Sequence, residues 1–143
     1  MKISFAFLAI LFLLGVSAQA GDGRRLARLP ERMKEHMMHN MRDHLSALQT
    51  ITRQLADGEY DAAADTAEQR LGMSSMSRHG AAHMAPYMPK GMRAAGTAMH
   101  RAASRFAVAA RNAEVEGGLS RAFGALSEVM AACVACHSAY RVH

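Results

Sequence analysis

The 143-residue chain has no tryptophan, three prolines and two cysteines, and only 6% of its residues are aromatic. With few rings to stack on bases, and with Lys and Arg spread along the sequence rather than massed in a stripe, nucleic acid is a poor partner. Nowhere do β-branched residues alternate with polar ones over the length of a strand, so a sheet has no material to form from. A Gly-rich phosphate loop, a nucleophile elbow and paired carboxylates in an apolar setting are also missing. The acidic side chains, Glu31, Glu35, Asp43, Glu59, Asp61, Asp65, Glu68, Glu114, Glu116 and Glu128 among them, read as solvated helix faces. The chain is therefore read as a protein other than an enzyme.

The first twenty residues have the form of a secretory signal: Lys2, an apolar run from Ile3 to Val16, and the small residues of Ala18-Gln19-Ala20 at a cleavage position. The run is shorter than the roughly 20 residues that span a bilayer, which argues against a retained anchor. Cleavage after Ala20 leaves residues 21–143 as one domain and, by removing Lys2, takes the formal net charge from +5 to +4. An acidic partner surface could be steered by this mild excess. Export also bears on the cysteines, since two free thiols outside the cytoplasm are normally oxidised unless something consumes them.

Ala, Met, Leu, Arg, Glu and Gln dominate the remainder and favour helix. Asp57-Gly58, Gly72, Pro86 with Pro89, and Gly117-Gly118 punctuate it, which predicts helices over 30–56, 59–71, 89–114 and 119–141. The last has a seam at steps of four and three through Leu119, Phe123, Leu126, Met130, Cys133, His137 and Tyr140. The first offers Met38, Met41, Leu45, Leu48, Thr52 and Leu55, the third Met92, Gly96, Met99, Ala103, Phe106 and Ala110, and the second Tyr60, Ala64, Ala67 and Leu71. Four helices with one apolar stripe each and short connections predict an all-α antiparallel four-helix bundle. Residues 73–88 form the longest irregular piece, with room for a turn of helix.

Near the C-terminus stands Cys133-Val134-Ala135-Cys136-His137. In Cys-x-x-Cys-His the thiols form thioethers with the vinyl groups of one haem, and the adjacent imidazole binds its iron. On a helix these three side chains project from neighbouring turns of one face. A redox-active dithiol would sit near a βαβ pattern, and a zinc site would need two more clustered ligands; the sequence offers neither. Covalent haem c, one per chain, is the expected cofactor.

The segment FGALSEVMAACVACHSAYR, from Phe123 to Arg141, resembles the C-terminal helix of the class II cytochromes c, the family of cytochrome c prime and its low-spin relatives. The resemblance implies a four-helix bundle holding haem in its core, a periplasmic location, and electron transfer or gas binding rather than substrate turnover. Redox proteins of the periplasm or membrane are the partners it implies. Family members also commonly form homodimers through their first two helices.

In the low-spin members a Met of the first helix takes the sixth position on iron, and in cytochrome c prime an apolar residue there leaves it open. The family spacing of that Met from apolar residues further along the helix is met by Met38 with Leu45, Leu48 and Ile51, so Met38 is the expected distal ligand beside His137. Met33, Met37, Met41, His36, His39 and His44 crowd the same turns, and Lys34 stands where the family commonly has Arg. Met38 on iron predicts an electron carrier; an open sixth position predicts a binder of nitric oxide or carbon monoxide. A third expectation comes from ten of the 12 Met and six of the 8 His, which lie between Met33 and His100. Thioethers with imidazoles suit Cu(I), so segment 73–92, with Met73, Met76, His79, His83, Met84, Met88 and Met92, suggests copper handling.

Overall fold

The computed structural model describes residues 21–113 and 118–143, and within them the chain is all-α apart from one short strand pair. The expected export segment, residues 1–20, lies outside the described residues. Helix α1 (Glu31–Ala56) opens after Pro30, whose ring fixes an extended entry, and Glu31 sits in its first turn against the positive end of the helix dipole. Gly58, at φ +76°, turns the chain into α2 (Tyr60–Arg70). Two 3₁₀ turns, Met73–Ser75 and Ala85–Tyr87, flank the one-turn helix α3 (Ala81–Met84), which supplies the turn of helix expected in the irregular stretch. Helix α4 (Lys90–Arg111) follows Pro89, and α5 (Gly118–Ala139) carries the cysteines.

The last expected helix stops two residues early. Tyr140–Arg141 forms strand β2, pairing in parallel with strand β1 (Arg25–Leu26), and the Ala27 amide donates to the Arg141 carbonyl at 2.8 Å. This pairing ties the end of α5 to the segment leading into α1. Arg24 and Arg141 both face Asp22, at 2.7 and 3.6 Å, and the Arg24 guanidinium holds the Asp22 carboxyl down to about 2.

α4 packs closely on α5 and on α2, and α2 on α1. These contacts bury Ile51 and Leu55 of α1, Ala63, Ala64 and Ala67 of α2, Ala103, Phe106, Ala107 and Ala110 of α4, and Ala122, Leu126 and Val129 of α5. Alanines dominate because the absence of a long side chain lets helix backbones approach and makes dense packing easy. A second cluster of Ala27, Met37, Met84 and Met92, joined by Met41, Met88, Cys136 and Tyr140, lies nearer the chain termini.

Two expected stripes are inward only in part. On α1 the inward residues are Met37, Asn40, His44, Ala47, Ile51 and Leu55; Leu45 is 70% exposed and Thr52 is exposed. Both series run at steps of three and four, and the one containing Asn40 and His44 turns inward because those polar groups find partners there. On α5 the inward series is Ala122, Leu126 and Val129, continued by half-buried Cys133, Cys136 and Tyr140. Leu119, Phe123, Met130 and His137 lie on the flank, because the smaller Ala122 and Val129 fit the Ala-rich face of α4 more closely. The stripe expected on α4 is buried at Met92, Met99, Ala103, Phe106 and Ala110, and that on α2 at Ala64, Ala67 and Leu71. By length and composition α5 is the one helix among the described residues that could cross a membrane.

Candidate functional site

α1 and α5 are not closely packed against each other, and between their Met37–Met41 and Cys136–Tyr140 stretches lies a cavity of about 230 Å³. Met37, Met38 and Met41 reach it from α1, Met92 and Gly96 from α4, and Cys136 and His137 from α5; Tyr140 and Arg141 close one side. A Cβ on Gly96 would meet nothing within 4 Å, so this position opens onto free space. Gly91, by contrast, has the Tyr140 hydroxyl where its Cβ would stand, which lets Tyr140 lie against α4.

Three of the four residues expected at a haem site are thus brought to one cavity: Cys136, His137 and Met38. Cys133 is half-buried one turn earlier on α5 and packs against the larger core. Both cysteines are free thiols, and burial pushes both up from the usual thiol range, with Cys136 adding to the effect on Cys133. Among the alternatives to Met38, Met37 and Met41 line the cavity too, whereas His39 is exposed. His36 is committed elsewhere, donating from Nε2 to the His79 carbonyl at 2.9 Å.

A second cavity of about 380 Å³ adjoins the first, sharing Met37, Met41, Met88 and Gly96. Its walls carry His44, His79 and His100 with Met76, Met84 and Met99. Of the Met/His-rich segment, Met76, His79, Met84 and Met88 face this space, while His83 and Met73 are exposed. α1 positions His79 through its backbone, since Asn40 Nδ2 donates to the same carbonyl at 3.0 Å that His36 reaches. Gly80, at φ +64°, then turns the chain into α3 beside His36.

Sequence periodicity did not single out Asn40, Ser75 or His100. The available signal was the alternative series on α1 through Met37, Asn40, His44 and Ala47, which places a His and an Asn among apolar residues. Among the described residues no group of three or more His, Cys, Asp or Glu side chains is set to hold a metal ion. Compared with known proteins, the chain matches no family model, no curated protein and no solved structure.

Proposed function

We propose that the protein is an exported monohaem c-type cytochrome that carries single electrons between periplasmic redox proteins, its four long helices forming an antiparallel bundle around the haem. The observation that carries this reading is the common cavity of Met38 with Cys136 and His137, the first selected by the family spacing and the other two, far along the sequence from it, by the motif. The free space beside Gly96 supports it further, because a flat macrocycle needs an apolar slot between helices. Haem, when bound, supplies one-electron chemistry, and imidazole with thioether on the iron raises its potential.

On this reading Cys133 and Cys136 would attach the group, His137 and Met38 would ligate its iron, and the methionines around Met38 would exclude water. Arg24 and Arg141, which line the rim beside Tyr140 and face Asp22, would meet the negative charge of propionates there.

The test is the absorption spectrum of the ferric protein, exported from cells able to attach haem. The weak long-wavelength band that reports a sulfur–iron bond is expected in the wild type and lost in Met38→Ala. A five-coordinate high-spin spectrum with rapid carbon monoxide binding would instead assign the protein as a gas binder. Covalent haem retained after Cys133→Ser and Cys136→Ser together would overturn the attachment itself.

A further inference from the structure

The electron-carrier reading makes no use of the larger cavity, where three imidazoles from distant parts of the chain meet. Ring centroids of His44 and His79 lie 4.7 Å apart, His79 and His100 5.5 Å, and His44 and His100 5.9 Å. Each of these side chains is at most 8% exposed. A buried imidazole cluster is costly unless its polar atoms are satisfied, yet His79 Nε2 has no hydrogen-bond partner among the described residues.

The surrounding bonds fix the tautomers. Ser75 Oγ donates its one proton to the Gly72 carbonyl at 2.7 Å, so towards its other neighbours it can only accept. Those neighbours are Nδ1 of His79 and Nδ1 of His100, each at 3.4 Å, and His100 Nδ1 also donates to the Leu71 carbonyl at 2.7 Å. His44 Nε2 stands 3.4 Å from His79 Nδ1 and accepts from it. His79 and His100 therefore both carry their proton on Nδ1 and keep a lone pair on Nε2. This is the arrangement in which an outer hydrogen bond orients a metal-binding imidazole.

We propose that this cavity is a Cu(I) site, with Nε2 of His79 and His100 and thioether sulfur from the adjoining Met76, Met84 and Met99 as its donors. His44 orients His79 and does not touch the metal. Among the described residues the wall offers no carboxylate, and Arg93 is the one formally charged side chain along it. A divalent ion would bring two uncompensated charges into an apolar space, whereas Cu(I) brings one and prefers soft sulfur.

The test is anaerobic titration of the full exported protein, haem-loaded as isolated, with Cu(I) against a chromophoric Cu(I) chelator. One Cu(I) per chain is expected to survive dialysis. His79→Leu and His100→Leu should each weaken retention by more than the roughly 10- to 100-fold that loss of an outer-shell partner costs. Met84→Leu with Met99→Leu, which conserves volume and so the fold, should weaken Cu(I) binding and leave the helical circular dichroism unchanged. His83→Leu and His39→Leu, at exposed positions, should change nothing. Retention indifferent to His79→Leu and His100→Leu overturns the proposal, as does displacement of Cu(I) by an equal amount of Zn(II), or no uptake by the haem-loaded protein. Haem content read from the same samples separates the two readings: a wild type without haem sinks the electron carrier only, and a haem-loaded protein without copper sinks this site only.

Discussion

The two ends of the molecule are built from different side chains and pack differently. Where α2 meets α1 and α4, small Ala residues surround Ile51, Leu55 and Phe106, all of them 0–1% exposed. Where α1, α3, α4 and the end of α5 converge, methionines and histidines replace alanine, and two adjoining cavities of about 230 and 380 Å³ remain. Alanine has no rotamers to lose and lets backbones approach. Methionine is long, unbranched and adaptable, so it lines a space without closing it. One end is thus suited to holding the fold and the other to holding something else.

The largest expected effect on this contrast is at Phe106. Its truncation to Ala removes the biggest fully buried side chain of the closed end and should cost about 3–5 kcal/mol, read as a lower urea midpoint at constant slope. A comparable loss from Met84→Ala would erase the distinction, because a residue beside an existing cavity leaves less new void behind.

Acid should act on the open end. His44 is pushed down to about 4, first by burial and then by His79, His100 and Arg70, with Asp43 opposing. Its folded value lies below that of the unfolded chain, so the unfolded state binds the proton first as pH falls. The stability linked to it is full above about pH 6.5 and is lost towards pH 4, amounting to roughly 3 kcal/mol. Denaturation midpoints measured across that window should show the slope in the wild type and a smaller one in His44→Gln. Asp43, held below the ordinary carboxylate range by the Arg70 hydrogen bond, contributes in the same direction at lower pH.

The smallest effect is at Gly96. An added methyl group there meets no atom, and alanine is the better helix former, so Gly96→Ala should stabilise the haem-free chain by about 0.5–1 kcal/mol. The same change should lower haem incorporation during export, measured as the ratio of haem absorbance to protein. Stabilisation without loss of haem would mean that the free space beside Gly96 is not the slot.

Much of the architecture was legible because it depends on near neighbours. Asp57-Gly58, Pro89 and the runs of Ala, Met and Leu set the helix limits within a few residues, since capping and propensity act over one turn. The end of α5 escaped this logic, because Tyr140 and Arg141 leave the helix to pair with Arg25 and Leu26 from the opposite end of the sequence. The inward faces of α1 and α5 escaped it as well. A heptad series fixes the spacing of contacts but not the rotation of the helix, and the two series on α1, offset by one residue and sharing only Leu55, differ in that the inward one carries Asn40 and His44 where the other carries Met41 and Leu45. Hydrogen bonds to the His79 carbonyl, available only in the folded chain, favour the more polar one.

By itself the sequence determined that the chain is helical, where its helices break, and that Cys133, Cys136 and His137 share neighbouring turns, consequences of local propensity, of Gly and Pro punctuation and of the 3.6-residue repeat. The tertiary structure decided that Met38 and His137 line one cavity and that His44, His79 and His100 meet in the wall of another. Such meetings are set by how helices rotate and cross as they bury their small faces, and no local rule along the chain encodes that.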